Sequence, residues 1–386
     1  MALRLGFQDC VRIDNDIWFT SSKYNGLYRY NFCEKKASRI MLFQEEPFIK
    51  RLMFKKIFIW EDKFVFLPYT AKNIYLYDPQ RNKMQKIEIP MGKKSENQIY
   101  MNFDEYSLYK DCIYMVGCEY PGIIKVNLRN AEVSELNGIP QNLYEKARER
   151  KSYFFGNGVV DENRMYITSR VSNEVFKLDM DNSYIEINKV GNVDNTYGGI
   201  FQIGTKDYYL VNISNDNLIW WNPQNGMYKE YEIHLDQHTP YRSLYDGGER
   251  IWLVLAGAVT AIYEIKKKNM EVKKIDLTVC GKSLCIEYMR GYKGRLIFVN
   301  DVDGLWYEIG KEGIVHKLNF AIEEPEEELV WRKAEEKCFD NVYLREEGVV
   351  TLEAFLSRMR KTIISENVAQ NMKRAGGIIY NSCITV

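Results

Sequence analysis

Histidine is nearly missing from this chain, with three residues in 386. His234 and His238, in EIHLDQHTP, have the i, i+4 spacing of a helical metal pair. They follow an extended run and sit beside Pro240, where a helix is not expected, and no third ligand is close in sequence. His316, in IVHKLNF, alternates with apolar neighbours and reads as an ordinary strand residue. There is no HExxH, no CxxC and no GxSxG, which removes the local signatures of zinc proteases, zinc ribbons, thioredoxin-like redox centres and nucleophile elbows. GKS occurs at Gly281-Lys282-Ser283 without the upstream glycine of a phosphate loop, and Asp301-Val302-Asp303-Gly304 lacks the third ligand and distal Glu of a calcium loop. No metal and no cofactor are therefore expected.

The eight cysteines (Cys10, Cys33, Cys112, Cys118, Cys280, Cys285, Cys338, Cys383) are scattered and read as reduced, small apolar fillers. No run of 18 apolar residues occurs, and the start MALRLGFQDCVRIDND has no apolar h-region. A soluble cytoplasmic protein without membrane insertion is the expectation. Neither sign of charge prevails, since Lys plus Arg and Asp plus Glu both number 53. No global field would draw in nucleic acid or an anionic membrane, and a dedicated nucleic-acid binder is disfavoured.

What the sequence does have is one sentence written repeatedly. LIWWNPQNGMY at Leu218–Tyr228 echoes IYLYDPQRNKM at Ile74–Met84, and the same aromatic or aliphatic run recurs as LYRYN, IIKVN, VFKLD, IYEIK and WYEIG. Anchored on Tyr28, Tyr75, Ile124, Phe176, Ile219, Tyr263 and Tyr307, the spacings are 47, 49, 52, 43, 44 and 44. A period in the forties with several short strands per unit is the signature of a β-propeller of four-stranded antiparallel blades. Seven anchors imply seven blades. One unit shows the pattern plainly as YRSLYDGGER, IWLVLAG, TAIYEIKK and VKKIDL, divided by Asp246-Gly247-Gly248, Gly257 and Lys268-Asn269. The first and second strands of each unit are expected to be the most buried, and the third to be a half-buried outer position.

Two connections are long: Pro90 to Asn102, and Asn137 to Phe154, where LYEKARERKS suits a short helix. The fold class expected is thus all-β, a seven-bladed propeller over residues 1–320. Residues 321–386 form an acidic and helical extension packing on it. There Thr351 is an N-cap candidate for an amphipathic helix to Lys361, and a second helical piece runs from Asn367 to Ala375.

The hairpins Tyr77-Asp78-Pro79, followed by Met84, and Trp221-Asn222-Pro223, followed by Tyr228, resemble the third strand and turn of kelch-type propellers. IWLVLAG resembles their second strand. The resemblance implies the superfold. It implies no single activity, because propellers include adaptors, glycan binders, lyases and oxidases.

In such a ring the loops joining second to third strands gather on one face around the channel. They supply the candidate ligand-binding residues Lys23, Tyr24 and Asn25; Tyr69, Lys72 and Asn73; Glu119 and Tyr120; Arg170 and Asn173; Asn215 and Asp216; and Asp301 and Asp303. Tyrosine faces with amide, hydroxyl and charged neighbours suit a protein segment or a glycan. The leading expectation is a non-catalytic binding or scaffold protein using this face. The alternative is a lyase or hydrolase with carboxylate or Tyr/Arg groups at the central channel, and a buried titratable group at the channel mouth would distinguish the two.

Overall fold

The computed structural model describes residues 5–22, 24–46, 52–89, 103–118, 120, 122–150, 152–235, 242–255, 258–259, 261–277, 284–292, 295–300, 304–310, 315–323 and 325. Both helices expected after Thr351 lie outside them.

The chain folds as consecutive four-stranded antiparallel meanders, each running from the channel outward in chain order. The first blade is Cys10–Ile13, Asp16–Thr20, Leu27–Asn31 and Lys36–Met41. Phe54–Trp60, Lys63–Pro68, Asn73–Asp78 and Lys83–Glu88 form the second. The third is Phe103–Tyr109, Cys112–Gly117, Ile123–Asn127 and Glu132–Glu135. After the only helix among the described residues, Gln141–Arg150, come two meanders that share one eight-stranded sheet. The penultimate blade is Arg242–Asp246, Arg250–Leu255, Ala261–Lys266 and Val272–Asp276. The last contains Leu284–Tyr292, Arg295–Asn300, Leu305–Ile309 and Val315–Ala321, with the two-residue strand Ala258–Val259 added at its inner edge.

Five blades are therefore separate sheets, which corrects the expectation of seven. The remaining eight strands are joined by a parallel pairing of the two innermost strands, Phe155–Asp161 and Tyr197–Ile203, at Asn157 and Gly199. Glycine makes this joint possible. A Cβ on Gly156 would stand 2.4 Å from the Gly198 carbonyl oxygen, and one on Gly199 would stand 3.0 Å from the Asn157 Cβ. Backbones approach this closely only where side chains are absent.

The seven anchor residues all fall in third strands, and all are 2% exposed or less. Third strands are thus core rather than half-buried, because blades stack face to face and both faces of a middle strand are covered. The innermost strands, expected to be the most buried, are instead partly open along the channel, as in the burial of Phe103–Tyr109 or Phe155–Asp161. The apolar core is divided among the blade interfaces. One cluster spans the first and second blades around Phe43, Phe54 and Phe66, and another spans the second and third around Ile74, Ile113 and Met115. Each fully buried side chain contributes about 1.5–3 kcal/mol.

The ring closes through the N-terminal segment. The Leu5 amide donates to the Ile322 carbonyl at 2.8 Å, and Phe7, wholly buried, lies 5.0 Å from Phe19, 5.1 Å from Tyr288 and 5.9 Å from Trp306 between ring centroids.

Hairpins between third and fourth strands repeat one device. Asn31, Asp78, Asn127, Asp179 and Asn222 each accept a backbone N–H two residues on with the side-chain oxygen. Four residues further on, the chain enters the left-handed region at Lys35 (φ 52°), Asn82 (48°), Ala131 (57°), Ser183 (54°) and Gly226 (73°). Met270 (57°) does the same in the penultimate blade. Pro79 and Pro223 each follow such a turn-starting side chain.

Candidate functional site at the channel mouth

Strand direction puts the loops between second and third strands, and the connections between blades, on one face. The innermost strands begin at that face. Their opening residues carry charge in pairs, Lys55-Lys56 and Asp104-Glu105, and these line a cavity of about 390 Å³ with Asp9 and Arg290. A neighbouring cavity of about 230 Å³ shares Lys55, Asp104, Asn157 and Ser243 with it and opens past Tyr69, Tyr153 and Arg170.

Lys55 pairs with Asp104 and lies 5.4 Å above the Tyr69 ring. Close packing of protein around it pushes the Lys55 amine down, opposed by the Glu105 charge. The same packing pushes the Glu105 carboxyl up, opposed by Lys55 and by the amides of Tyr106 and Gly158. Those amides donate to its two oxygens at 3.2 and 3.3 Å. Gly158 leaves the room for this: a Cβ there would stand 3.2 Å from Glu105 Cγ. Arg170, only 8% exposed, places its guanidinium 5.5 Å from the Tyr153 ring, and its backbone amide donates to Phe154 at 3.1 Å. Tyr106 donates to the Pro68 carbonyl at 2.6 Å, bracing the loop that carries Tyr69.

Of the residues expected on this face, the structure brings Tyr69 and Arg170 together on the mouth cavity. Tyr24 and Tyr120 are buried in blade cores and offer no exposed ring face; burial pushes the Tyr120 hydroxyl pKa up. Asn25 donates to the carbonyls of Phe43 and Glu46 and accepts the Phe43 amide, all at 2.9 Å, so its amide is used in fixing the connection to the second blade. Asn73 lies 3.4 Å from the Tyr75 hydroxyl, and Asn173 the same distance from the Gly191 carbonyl. Asn215 caps the Asn217 amide at 2.9 Å, Asp216 is half-buried beside it, and Lys72 is exposed with its amide on Glu46 at 2.7 Å. Lys23, Glu119, Asp301 and Asp303 lie outside the described residues.

The sequence reading passed over Lys55, Lys56, Asp104, Glu105, Asn157 and Arg290. Their signal was present as charged doublets at the start of otherwise apolar first strands, FKKIFIW and FDEYSLY, and as glycines flanking Asn157 in FGNGVVD. No group of three or more His, Cys, Asp or Glu suited to a metal occurs among the described residues. No helix among them is long and apolar enough to cross a membrane.

No protein-family model matches the chain, and no curated protein does. Solved structures do. Virginiamycin B lyase from Staphylococcus aureus is similar at 14% identity with a TM-score of 0.58, over 78% of this chain and 96% of that one. Dihydro-heme d1 dehydrogenase NirN is similar at 12% and 0.52, over 81% and 65%. PorZ, a surface component of the type-IX secretion system of Porphyromonas gingivalis, is similar at 10% and 0.50, over 84% and 40%. The likeness to a lyase, a dihydro-heme d1 dehydrogenase and a surface component at such identities shows the fold alone, and that fold is the β-propeller.

Proposed function

We propose that this chain is a non-catalytic binding protein that recognises a hydroxyl-rich ligand, a glycan, at the channel mouth. The observation that carries the reading is the meeting of Tyr69, Tyr153 and Arg170 with Lys55, Asp104, Asn157 and Ser243 around one opening. Ring faces cover the apolar side of a sugar, while amide, hydroxyl and charged groups take its hydroxyls. The hairpins at Pro79 and Pro223 end third strands on the opposite face, so the reading does not draw on them. A glycan array probed with the full chain, with Tyr69→Ala and with Arg170→Ala tests it. Specific retention of a glycan class by the full chain, weakened at least tenfold by either variant, is expected. Retention by all three alike would overturn it, and retention of a peptide library in place of glycans would assign the face to a protein segment.

Glu105 favours a second reading. A closely surrounded carboxyl with a raised pKa, beside an amine with a lowered one, is the arrangement a hydrolase or lyase uses for proton transfer. Turnover of a glycoside or polysaccharide panel by the full chain, abolished by Glu105→Gln, would establish it. A complete absence of turnover by the full chain would set it aside.

A further inference from the structure

Resting on the glycan reading above, we propose that the larger of these two cavities selects an acidic sugar, whose carboxylate is seated on Lys56 and Arg290. These two cations come from the innermost strands of the second and the last blade, and both line the cavity. They converge on opposite oxygens of one carboxylate: Lys56 Nζ is 3.2 Å from Asp9 Oδ2, and Arg290 Nη2 is 2.6 Å from Asp9 Oδ1. Asp9 Oδ2 also accepts the Ile57 amide at 3.1 Å. The Asp9 side chain is 4% exposed and is used up in holding its partners, whereas those of Lys56 and Arg290 remain 31% and 50% exposed.

Two cations share one anion, so the cluster keeps a positive charge. An ammonium has three donors and a guanidinium five, and one buried carboxylate cannot occupy them all. The planar fork of Arg290, lying 5.4 Å from the Tyr288 ring, matches a carboxylate in two-point geometry. The lining as a whole holds three Lys or Arg and three Asp or Glu side chains, with Asp104 paired to Lys55 and Glu105 held by the amides of Tyr106 and Gly158 and acted on by Lys55 and Lys56, so the surplus is a local one of donors on Lys56 and Arg290 over the oxygens of Asp9. A carboxylate beside a ring of hydroxyls satisfies both halves of the site at once, the anion on Lys56 and Arg290 and the hydroxyls on Asp104, Asn157 and Ser243. An acidic peptide meets Asp104, Asn157 and Ser243 with backbone amides rather than with a ring of hydroxyls.

Titration calorimetry of the full chain with methyl glucuronide, with methyl glucoside and with a short acidic peptide tests the proposal. The glucuronide is expected to bind at least tenfold tighter than the glucoside. Lys56→Gln and Arg290→Gln are each expected to lower the ratio of glucuronide to glucoside affinity at least tenfold. Because both cations also bridge blades through Asp9, thermal melts are recorded for each variant, and Arg290→Lys serves as a second variant that keeps the charge and loses the fork. Partial retention of the preference by Arg290→Lys, with a melt like that of the parent, supports the assignment. Equal binding of both glycosides, sensitive to Arg170→Ala, would overturn the acidic preference and leave the glycan reading standing. Binding of neither sugar would overturn both. Tighter binding of the acidic peptide, lost in Arg290→Gln, would overturn the sugar in favour of a peptide carboxylate.

Discussion

Glu105 and Gly158 show how single residues set the chemistry of the mouth. With its folded pKa raised, Glu105 holds its proton more tightly in the native than in the unfolded chain. Stability therefore falls as pH rises from the ordinary carboxylate range through the raised native value, and the loss is complete above it. Glu105→Gln lacks this dependence. Measured by denaturant unfolding at several pH values, the parent minus Glu105→Gln difference is expected to grow in the parent's favour as pH is lowered and to level off below the ordinary carboxylate range. A flat difference would show that Glu105 is not held in this environment. Gly158→Ala tests the same spot by shape. Its methyl would meet the Tyr166 carbonyl oxygen at 2.8 Å as well as Glu105 Cγ, so a loss of about 1–3 kcal/mol is expected in the same assay.

The element scale belongs to the hairpins. A side chain at φ near 55° strains against its own carbonyl by about 1 kcal/mol, a strain glycine does not have. Ala131, exposed and with φ 57°, is the cleanest site to see it, since nothing else is lost with its methyl. Ala131→Gly is expected to raise unfolding free energy by about 0.5–1 kcal/mol, and a decrease would mean that the turn is fixed by something other than backbone preference. These hairpins are also why the architecture was legible in the sequence. The first five repeats put Asn or Asp at the end of a buried third strand and a turn after it, and that local grammar survives without knowledge of the ring. The site was not legible in the same way. Lys56, Asp9 and Arg290 lie up to 281 positions apart, and their meeting depends on ring closure. Asn25 and Tyr24 misled for the opposite reason: a polar loop motif cannot show whether its amide points to a ligand or back into the connection it stabilises.

For the whole molecule, the joint between first and last blades is the place where closure is decided. Phe7 fills it, so Phe7→Ala is expected to cost about 3–5 kcal/mol and to lower the melting temperature of the entire ring rather than of one blade. A calorimetric scan that resolved a separate early transition for the first blade would contradict a single cooperative ring. The same joint carries Asp9 and Arg290, so the closure seam is also one wall of the cavity.

The double sheet makes the molecule mechanically uneven. Residues 155–231 hold two meanders stitched through Asn157 and Gly199, whereas the separate blades are four- or five-stranded sheets of their own. Pulled from its two ends in a single-molecule force measurement, the ring is expected to release its separate blades in steps of one repeat each. The stitched pair would come away in one longer step of about 260 Å, 77 residues at full extension. Replacing Gly156 with a bulkier residue would part the stitch and restore two ordinary steps.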